Sequence, residues 1–177
     1  MGYAGGAMVG PTYHDLGEHA EVLQVEFDPT QLSFEALLTM FWASHNPARD
    51  GRRSQYRSIL ICEDERQFAL ADESRSTVER TLGRKVLTEV VAGKVFYPAE
   101  GYHQKWKLRR RAALYEELAR SFDSEESLVR SFAATKLNAI AGGHVSQPAI
   151  KSFAHRLSLS EDGLTLLEGI VKNIPKA

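Results

Sequence analysis

The stretch from Gly2 to Phe27 constrains the fold more than any other part of this sequence, because it joins a glycine-rich turn to an extended segment that contains a carboxylate. Residues 2–10 include four glycines, which reach backbone angles that other residues avoid. Alternating side chains predict a strand over His19–Phe27, with Glu21 inside it. A carboxylate in a sheet is costly unless it is paired, hydrogen-bonded or protonated. Two interpretations are open: Glu21 is a general acid, or it lies on the exposed face of a two-sided strand.

Composition limits the classes of protein to which the chain can belong. With 177 residues, 43% of them apolar, it is long enough for one domain with a proper core and an appendage. A net charge of −1 gives no global argument for a nucleic-acid or anionic-membrane partner, and no apolar run is long enough to span a bilayer. One cysteine excludes an internal disulfide framework, and six scattered histidines lack the spacing of a zinc site. We therefore expect a cytoplasmic protein without a metal.

The rest of the first half alternates between helical and extended patterns. Good capping residues and apolar spacing mark two helices, and runs of branched apolar residues mark two strands. The predicted elements are a helix capped by Ser33, a strand over Tyr56–Cys62, a helix from Asp64 to Gly83 and a strand over Lys85–Val91. This order favours a sheet backed by helices on one side.

The second half is helical by pattern. One helix is predicted over Tyr102–Phe122, and further helices over 124–141, 147–157 and 160–173, the last capped by Ser160. The change of character near residue 121 predicts a core of residues 1–120 followed by a helical extension of residues 121–177.

A basic run from Lys105 to Arg111 lies within the first of these helices. Such a run can form a face that binds RNA or another anion. At helical spacing, however, Trp106 and Ala113 would point inward while the basic residues fan toward solvent. We interpret the run as a solvated helix face and expect no nucleic-acid partner.

Six sequence blocks, in order, resemble the A-type peptide methionine sulfoxide reductases. They span residues 2 to about 108 and read GYAGG, PTY, GEHAEVLQVEFDP, LSFEALLTMFWASHNP, QYRS and AEGYHQKW. The resemblance implies an α+β fold, a two-layer α/β plait of the ferredoxin-like kind. It also implies reduction of the S-epimer of methionine sulfoxide, peptidyl or free, in the repair of oxidative damage. No bound cofactor is implied, and thioredoxin or another thiol would be the reductant.

The resemblance also assigns roles to residues. Reducing a sulfoxide requires a nucleophile that attacks sulfur and an acid that protonates the departing oxygen. Glu21 matches the family's acid, while Tyr13 of PTY and Tyr56 of QYRS match the tyrosines that hold the oxygen. A loop aspartate also belongs to that site; the loop is short here, so Asp50 is only a stand-in. The alternative is that both tyrosines are ordinary half-buried aromatic residues.

The nucleophile of the family lies in a Gly-Cys-Phe-Trp motif, whereas Met1 directly precedes the GYAGG block here. Cys62, at the end of an apolar strand, is expected to be an inert core residue. Two hypotheses follow: a fragment of a reductase whose cysteine lies upstream, or a non-catalytic relative that binds oxidised methionine or a partner protein. In both, the N-terminally incomplete plait is expected to fold poorly, unless the C-terminal helices compensate, and not to reduce sulfoxide. The DNA upstream of codon 1 would distinguish them.

Overall fold

The computed structural model describes residues 1–49 and 55–172, which form two compact units, Met1–Glu100 and the chain from Gly101 onward. The described residues combine helices with small sheets, so the predicted mixed α and β class is confirmed. The sequence predicted a boundary at residue 120 instead. That division into a reductase-like core and an extension stays a prediction. Among the described residues, no helix has the length and apolar character needed to cross a membrane.

The first unit begins with an antiparallel sheet of three short strands, in the order β2-β1-β5. The strands are β1 (Gly2–Ala4), β2 (Ala20–Val22) and β5 (Tyr97–Pro98). The central strand is buried along its whole length, and Tyr3 packs with Leu16 and Ala99 in a small core. Residues from both ends of the unit therefore meet at β1.

A second sheet pairs β3 (Ile59–Cys62) with β4 (Glu89–Ala92) in parallel, and helix α2 (Glu65–Leu82) connects them. Helix α1 (Phe34–Ala43) packs against α2, which also contacts both strands. The core of this part is formed by Leu38, Cys62 and Ala71. A parallel pair requires a crossover of this length, so the observed topology agrees with the helix-strand alternation of the sequence.

The predicted helix ends in this unit are confirmed by their caps. Ser33 accepts a hydrogen bond from the Ala36 amide, and Asp64 accepts one from the Gln67 amide. Gly83 ends α2 in the left-handed region, at φ 64°, where glycine carries no steric penalty.

All three predicted strands are shorter than expected, and the first is most altered. β1 has only three residues, so the pairing between β1 and β2 ends where Gly2 lies opposite Val22. Leu23 and Val25, which the prediction placed within the strand, lie beyond it and are 75% and 52% exposed. The other two strands are limited by their shared register, which runs from Ile59 opposite Glu89 to Cys62 opposite Ala92.

The second unit is helical, as predicted, but its helices are shorter. They are α3 (Trp106–Arg109), α4 (Ala112–Ala119), α5 (Glu125–Arg130), α6 (Phe132–Ala141), α7 (Gln147–Phe153) and α8 (Glu161–Val171). The helix predicted over Tyr102–Phe122 breaks at Arg110 and Arg111, and that over 124–141 breaks at Ser131. Leucines and small residues from these helices make one continuous core that includes Leu108, Leu137 and Leu167.

The prediction that Trp106 and Ala113 point inward is wrong. Trp106 is 48% exposed, and Ala113 is exposed as well. Because the helix breaks between them, Leu108 and Leu114 take the buried positions instead. The cationic groups of Lys107 and Arg110 each lie over the Trp106 ring, 5.0 and 4.8 Å from its centroid.

Candidate functional site

The three-stranded sheet places Glu21 opposite Tyr3. The two residues are Cα partners in the antiparallel pair of β1 and β2, and paired residues project toward the same face of a sheet. The main-chain amide of Glu21 donates to the carbonyl oxygen of Gln55 at 2.8 Å, which brings the segment before β3 beside β2. The predicted extended conformation at Glu21 is confirmed, within a strand of only three residues.

The Glu21 side chain carries an unsatisfied polar atom. Its Oε1 is buried and has no hydrogen-bond partner among the described residues. Buried polar atoms in folded proteins are nearly always hydrogen-bonded, because desolvation without a partner costs free energy. An oxygen in this state is suited to meet a group of a ligand, either by accepting a hydrogen bond or by carrying a proton that it donates.

Glu100 uses both of its carboxylate oxygens. The Tyr3 hydroxyl donates to Oε2 at 2.7 Å, and the main-chain amide of Tyr13 donates to Oε1 at 3.0 Å. Sequence reasoning assigned no role to Tyr3 or Glu100. The only signal for them was their place in the GYAGG and AEGYHQKW blocks, since the two residues are 97 positions apart.

His19 fixes the glycine-rich segment that follows β1. Its Nδ1 accepts a hydrogen bond from the Gly6 amide at 3.2 Å, and its Nε2 donates to the carbonyl oxygen of Met8 at 2.8 Å. An amide can only donate, so these contacts select the neutral imidazole with its proton on Nε2. A Cβ on Gly6 would lie 2.6 Å from the His19 main-chain nitrogen, so this approach requires glycine. His19, which is 2% exposed, is thus a packing and hydrogen-bonding residue.

The two predicted site tyrosines flank this region, and neither is a core residue. Tyr13 is 39% exposed and lies at the tip of a tight turn closed by mutual main-chain bonds between Thr12 and Asp15. Tyr56 is 69% exposed and directly follows Gln55, whose carbonyl accepts from Glu21. Their main chains thus attach to the sheet that carries Glu21. Their roles as donors to a ligand stay predictions, and Asp50 lies outside the described residues.

A polar network holds the chain just beyond Tyr56. The Ser58 hydroxyl lies 2.9 Å from His45 Nε2 and 2.9 Å from the Thr88 hydroxyl. His45 Nδ1 donates to the carbonyl oxygen of Phe41 at 2.9 Å, because a carbonyl oxygen can only accept. The end of α1 and the entry to β4 are thereby tied to the entry of β3. Sequence reasoning saw only that His45 stops a helix.

Cys62 behaves as the predicted core thiol. It is 1% exposed and packs with Leu38 and Ala71. Burial, with a smaller contribution from the Asp64 carboxylate, raises the pKa of the Cys62 thiol from 9.0 to about 11. Within the described ranges, no cluster of three or more histidine, cysteine, aspartate or glutamate side chains could hold a metal ion.

Comparison with known proteins places these features in a family. The family model for peptide methionine sulfoxide reductase matches residues 1–136, which include the whole of the site and the first helices of the second unit. The chain belongs to the peptide methionine sulfoxide reductase family. The resemblance drawn from the six blocks is therefore confirmed, and the match extends well beyond the last of them.

Individual reductases support the same assignment. The chain is 36% identical over 163 residues to the peptide methionine sulfoxide reductase of Drosophila melanogaster, covering 90% of this chain and 65% of that protein. It is 38% identical over 147 residues to the A5 reductase of Oryza sativa subsp. japonica, covering 80% and 57%. It is 41% identical over 111 residues to the reductase of Sulfolobus acidocaldarius, covering 58% and 63%. The chain thus spans less than two thirds of the length of these relatives.

Proposed function

We propose that this chain supplies the sulfoxide-binding and acid groups for the reduction of methionine S-sulfoxide, peptidyl or free, to methionine. The biological role would be the repair of oxidative damage. The observation that carries the proposal is the buried, unpartnered Oε1 of Glu21, in a chain that belongs to a sulfoxide reductase family. A sulfoxide oxygen is a strong acceptor, and a protonated carboxyl at this position can donate to it.

In the proposed reaction, a thiol attacks the sulfoxide sulfur while Glu21 protonates the oxygen. The oxygen then passes to the attacking sulfur: the S–O bond of the substrate and the transient bond between the two sulfurs break, a new S–O bond forms, the thioether leaves and the thiol has become a sulfenic acid. A second thiol then forms a disulfide and releases water, so each sulfoxide consumes two thiol groups. Tyr13 and Tyr56 would hold the oxygen through their hydroxyls, with Asp50 as a further member of the site. Thioredoxin or another thiol would reduce the disulfide.

Cys62 is not the nucleophile in this proposal. The reactive species is the thiolate, and a buried thiol with a pKa of about 11 is almost entirely protonated near neutral pH. We assign the attack to a cysteine of the Gly-Cys-Phe-Trp segment that the family carries before its GYAGG block. The 177 residues alone are therefore expected to bind sulfoxide without reducing it.

The fold and the location form part of the same proposal. The antiparallel sheet around β1 and the crossover from β3 through α2 to β4 are compatible with a two-layer α/β plait. A single cysteine is compatible with a reducing compartment, so we propose a cytoplasmic location. We propose no nucleic-acid or membrane partner.

The test is a chimera that carries the family's Gly-Cys-Phe-Trp segment ahead of Gly2, studied in single turnovers with a blocked methionine S-sulfoxide. Glu21→Gln keeps the shape of the side chain but removes the transferable proton. The chemical step should slow by roughly 10²–10⁴-fold, as is typical for loss of a general acid. Single turnovers are needed because slow reduction of the disulfide would otherwise mask the loss.

Two control variants accompany this measurement. Glu73→Gln changes an exposed carboxylate of α2, and Cys62→Ser removes the buried thiol; both should keep the parental rate. An unchanged rate in Glu21→Gln would show that Glu21 is an ordinary strand residue. If the chimera binds the S-sulfoxide without turning it over, the family member acts as a binding module instead.

A further inference from the structure

We infer that Glu100 is a positioning residue for the sulfoxide site, which holds Tyr13 in place through its main chain and couples it to the residue opposite Glu21. The inference rests on the proposed function, because it assumes that Tyr13 contacts the substrate. Glu100 itself need not touch the substrate, since its two oxygens already receive donors from the protein.

The main chain of Glu100 is fixed by the sheet. Glu100 follows β5 by two residues, and the amide of Ala99 donates to the carbonyl oxygen of Met1 at 3.1 Å. β5 is itself paired with β1, so the carboxylate is presented from a segment bound to the central strand. The Glu100 carboxylate therefore extends from a main chain that is held in place.

Glu100 connects two particular groups, the hydroxyl of Tyr3 and the main-chain amide of Tyr13. One oxygen accepts from Tyr3, whose ring is 1% exposed and whose position in β1 faces Glu21. The other oxygen accepts from the amide of Tyr13, at the tip of the turn between Thr12 and Asp15. Hydrogen bonds to an ionised carboxylate are stronger than those between neutral groups. A single side chain thus links the strand opposite the acid to the tyrosine proposed to hold the oxygen.

The segment between these two partners explains why a support is needed. It contains Gly5, Gly6 and Gly10, and glycine loses more conformational freedom on ordering than any other residue. His19 fixes the segment near Gly6 and Met8, but the turn at Tyr13 lies beyond that anchor. The bond from the Tyr13 amide to Glu100 is a long-range contact that restrains the turn.

Glu100→Gln in the 177-residue chain tests the inference. Glutamine has nearly the same shape but no charge, so its oxygen can accept from the Tyr13 amide only as a neutral group, while its NH₂ group can donate to the Tyr3 hydroxyl. Hydrogen exchange of the Tyr13 amide, followed by NMR, should accelerate roughly 10-fold, since a bond to a charged acceptor is replaced by a weaker bond to a neutral one. Affinity for a blocked methionine S-sulfoxide, measured by calorimetry, should fall roughly 10-fold, while affinity for the matching thioether stays unchanged.

Three comparison variants separate positioning from general stability. Glu73→Gln should change neither readout. Tyr3→Phe removes only a hydroxyl and leaves the bond to the Tyr13 amide, so Tyr13 exchange should change less than in Glu100→Gln. Glu100→Asp keeps two acceptor oxygens at a shorter reach and should restore part of the sulfoxide affinity. If Glu100→Gln fails to fold, the affinities for the sulfoxide and for the thioether are compared in Glu100→Asp instead.

The outcomes are distinguishable. If the parent chain binds the S-sulfoxide no better than the thioether, the proposed function fails and the inference fails with it. If the parent prefers the sulfoxide and Glu100→Gln keeps that preference, the inference alone is overturned. An equal loss of affinity for both ligands would assign Glu100 a purely structural role and would also overturn it.

Discussion

At the scale of single residues, two carboxyl groups attached to one small sheet differ in what they contact. Glu100 receives two donors, whereas the Oε1 of Glu21 has no hydrogen-bond partner among the described residues. Because buried polar atoms are nearly always hydrogen-bonded, the unsatisfied Glu21 oxygen is the one that we propose meets a ligand group. This contrast is the reason for treating Glu21, and not Glu100, as the chemical group.

Cys62 gives the first prediction at this scale. With a pKa of about 11 instead of 9.0, its thiolate fraction near pH 8 is roughly 100-fold lower than that of an ordinary thiol. Alkylation by iodoacetamide should therefore be at least roughly 100-fold slower in the native chain than in urea, and should accelerate as the pH approaches 11. Mass spectrometry of the labelled chain provides the measurement. Rapid labelling of native protein near neutral pH would contradict the burial of this thiol and make it a candidate nucleophile.

The sequence was sufficient for some of these residues and not for others. Glu21 could be singled out because a carboxylate in an extended apolar run conflicts with its surroundings, and Cys62 because its neighbours are apolar. Tyr3 and Glu100 could not, since their contact joins positions 97 residues apart and leaves no local pattern. A tyrosine in a short strand and a glutamate near a turn are unremarkable until the sheet brings them together.

At the scale of elements, helix starts were predictable and helix interruptions were not. A cap is a local chemical signal, as Ser33, Asp64 and Ser160 show. An interruption such as Ser131 keeps the apolar residues of both flanking helices in one core, so the apolar periodicity continues across it. Only the extended backbone at Ser131, φ −70° and ψ 150°, reveals that one helix ends and another begins there.

Ser131 gives the prediction at this scale. Its hydroxyl accepts a hydrogen bond from the Ala134 amide at 3.0 Å and so caps α6. Ser131→Ala should lower the free energy of unfolding by about 0.5–2 kcal/mol, which is typical for loss of such a cap. Urea unfolding followed by circular dichroism measures the change. Ser152→Ala serves as the control, because the Ser152 hydroxyl only donates to a carbonyl of its own helix, on an exposed surface. Equal effects of the two substitutions would refute the capping role.

At the scale of the whole molecule, each compact unit has a core of its own. The largest cluster of buried residues lies entirely in the helical unit and is made mainly of leucine and small residues. Two smaller clusters lie in the first unit, one around Tyr3 and one around Leu38. Burial of apolar surface is the main stabilising contribution to folding, so the helical unit contains the larger share of it.

Leu137 gives the prediction for that core. It is fully buried in α6, so Leu137→Ala should cost about 2–5 kcal/mol through lost burial and the cavity that remains. Leu164→Ala, on the 39%-exposed face of α8, should stay within about 0.5 kcal/mol of the parent chain. Urea unfolding provides both values. Comparable losses in the two variants would mean that the helical unit lacks a well-packed core.

The central position of β1 has a consequence for synthesis of the chain. Residues 2–4 leave the ribosome well before residue 98, where the strand that covers one of their edges is completed. At about 5–20 residues per second, β1 waits roughly 5–20 s for that partner. During this interval β2 can cover one edge, while the other presents unpaired main-chain groups to neighbouring nascent chains. Within this sheet a later strand, β5, therefore protects an earlier one, β1, and slow translation between residues 22 and 97 would lengthen the period in which the first unit can aggregate.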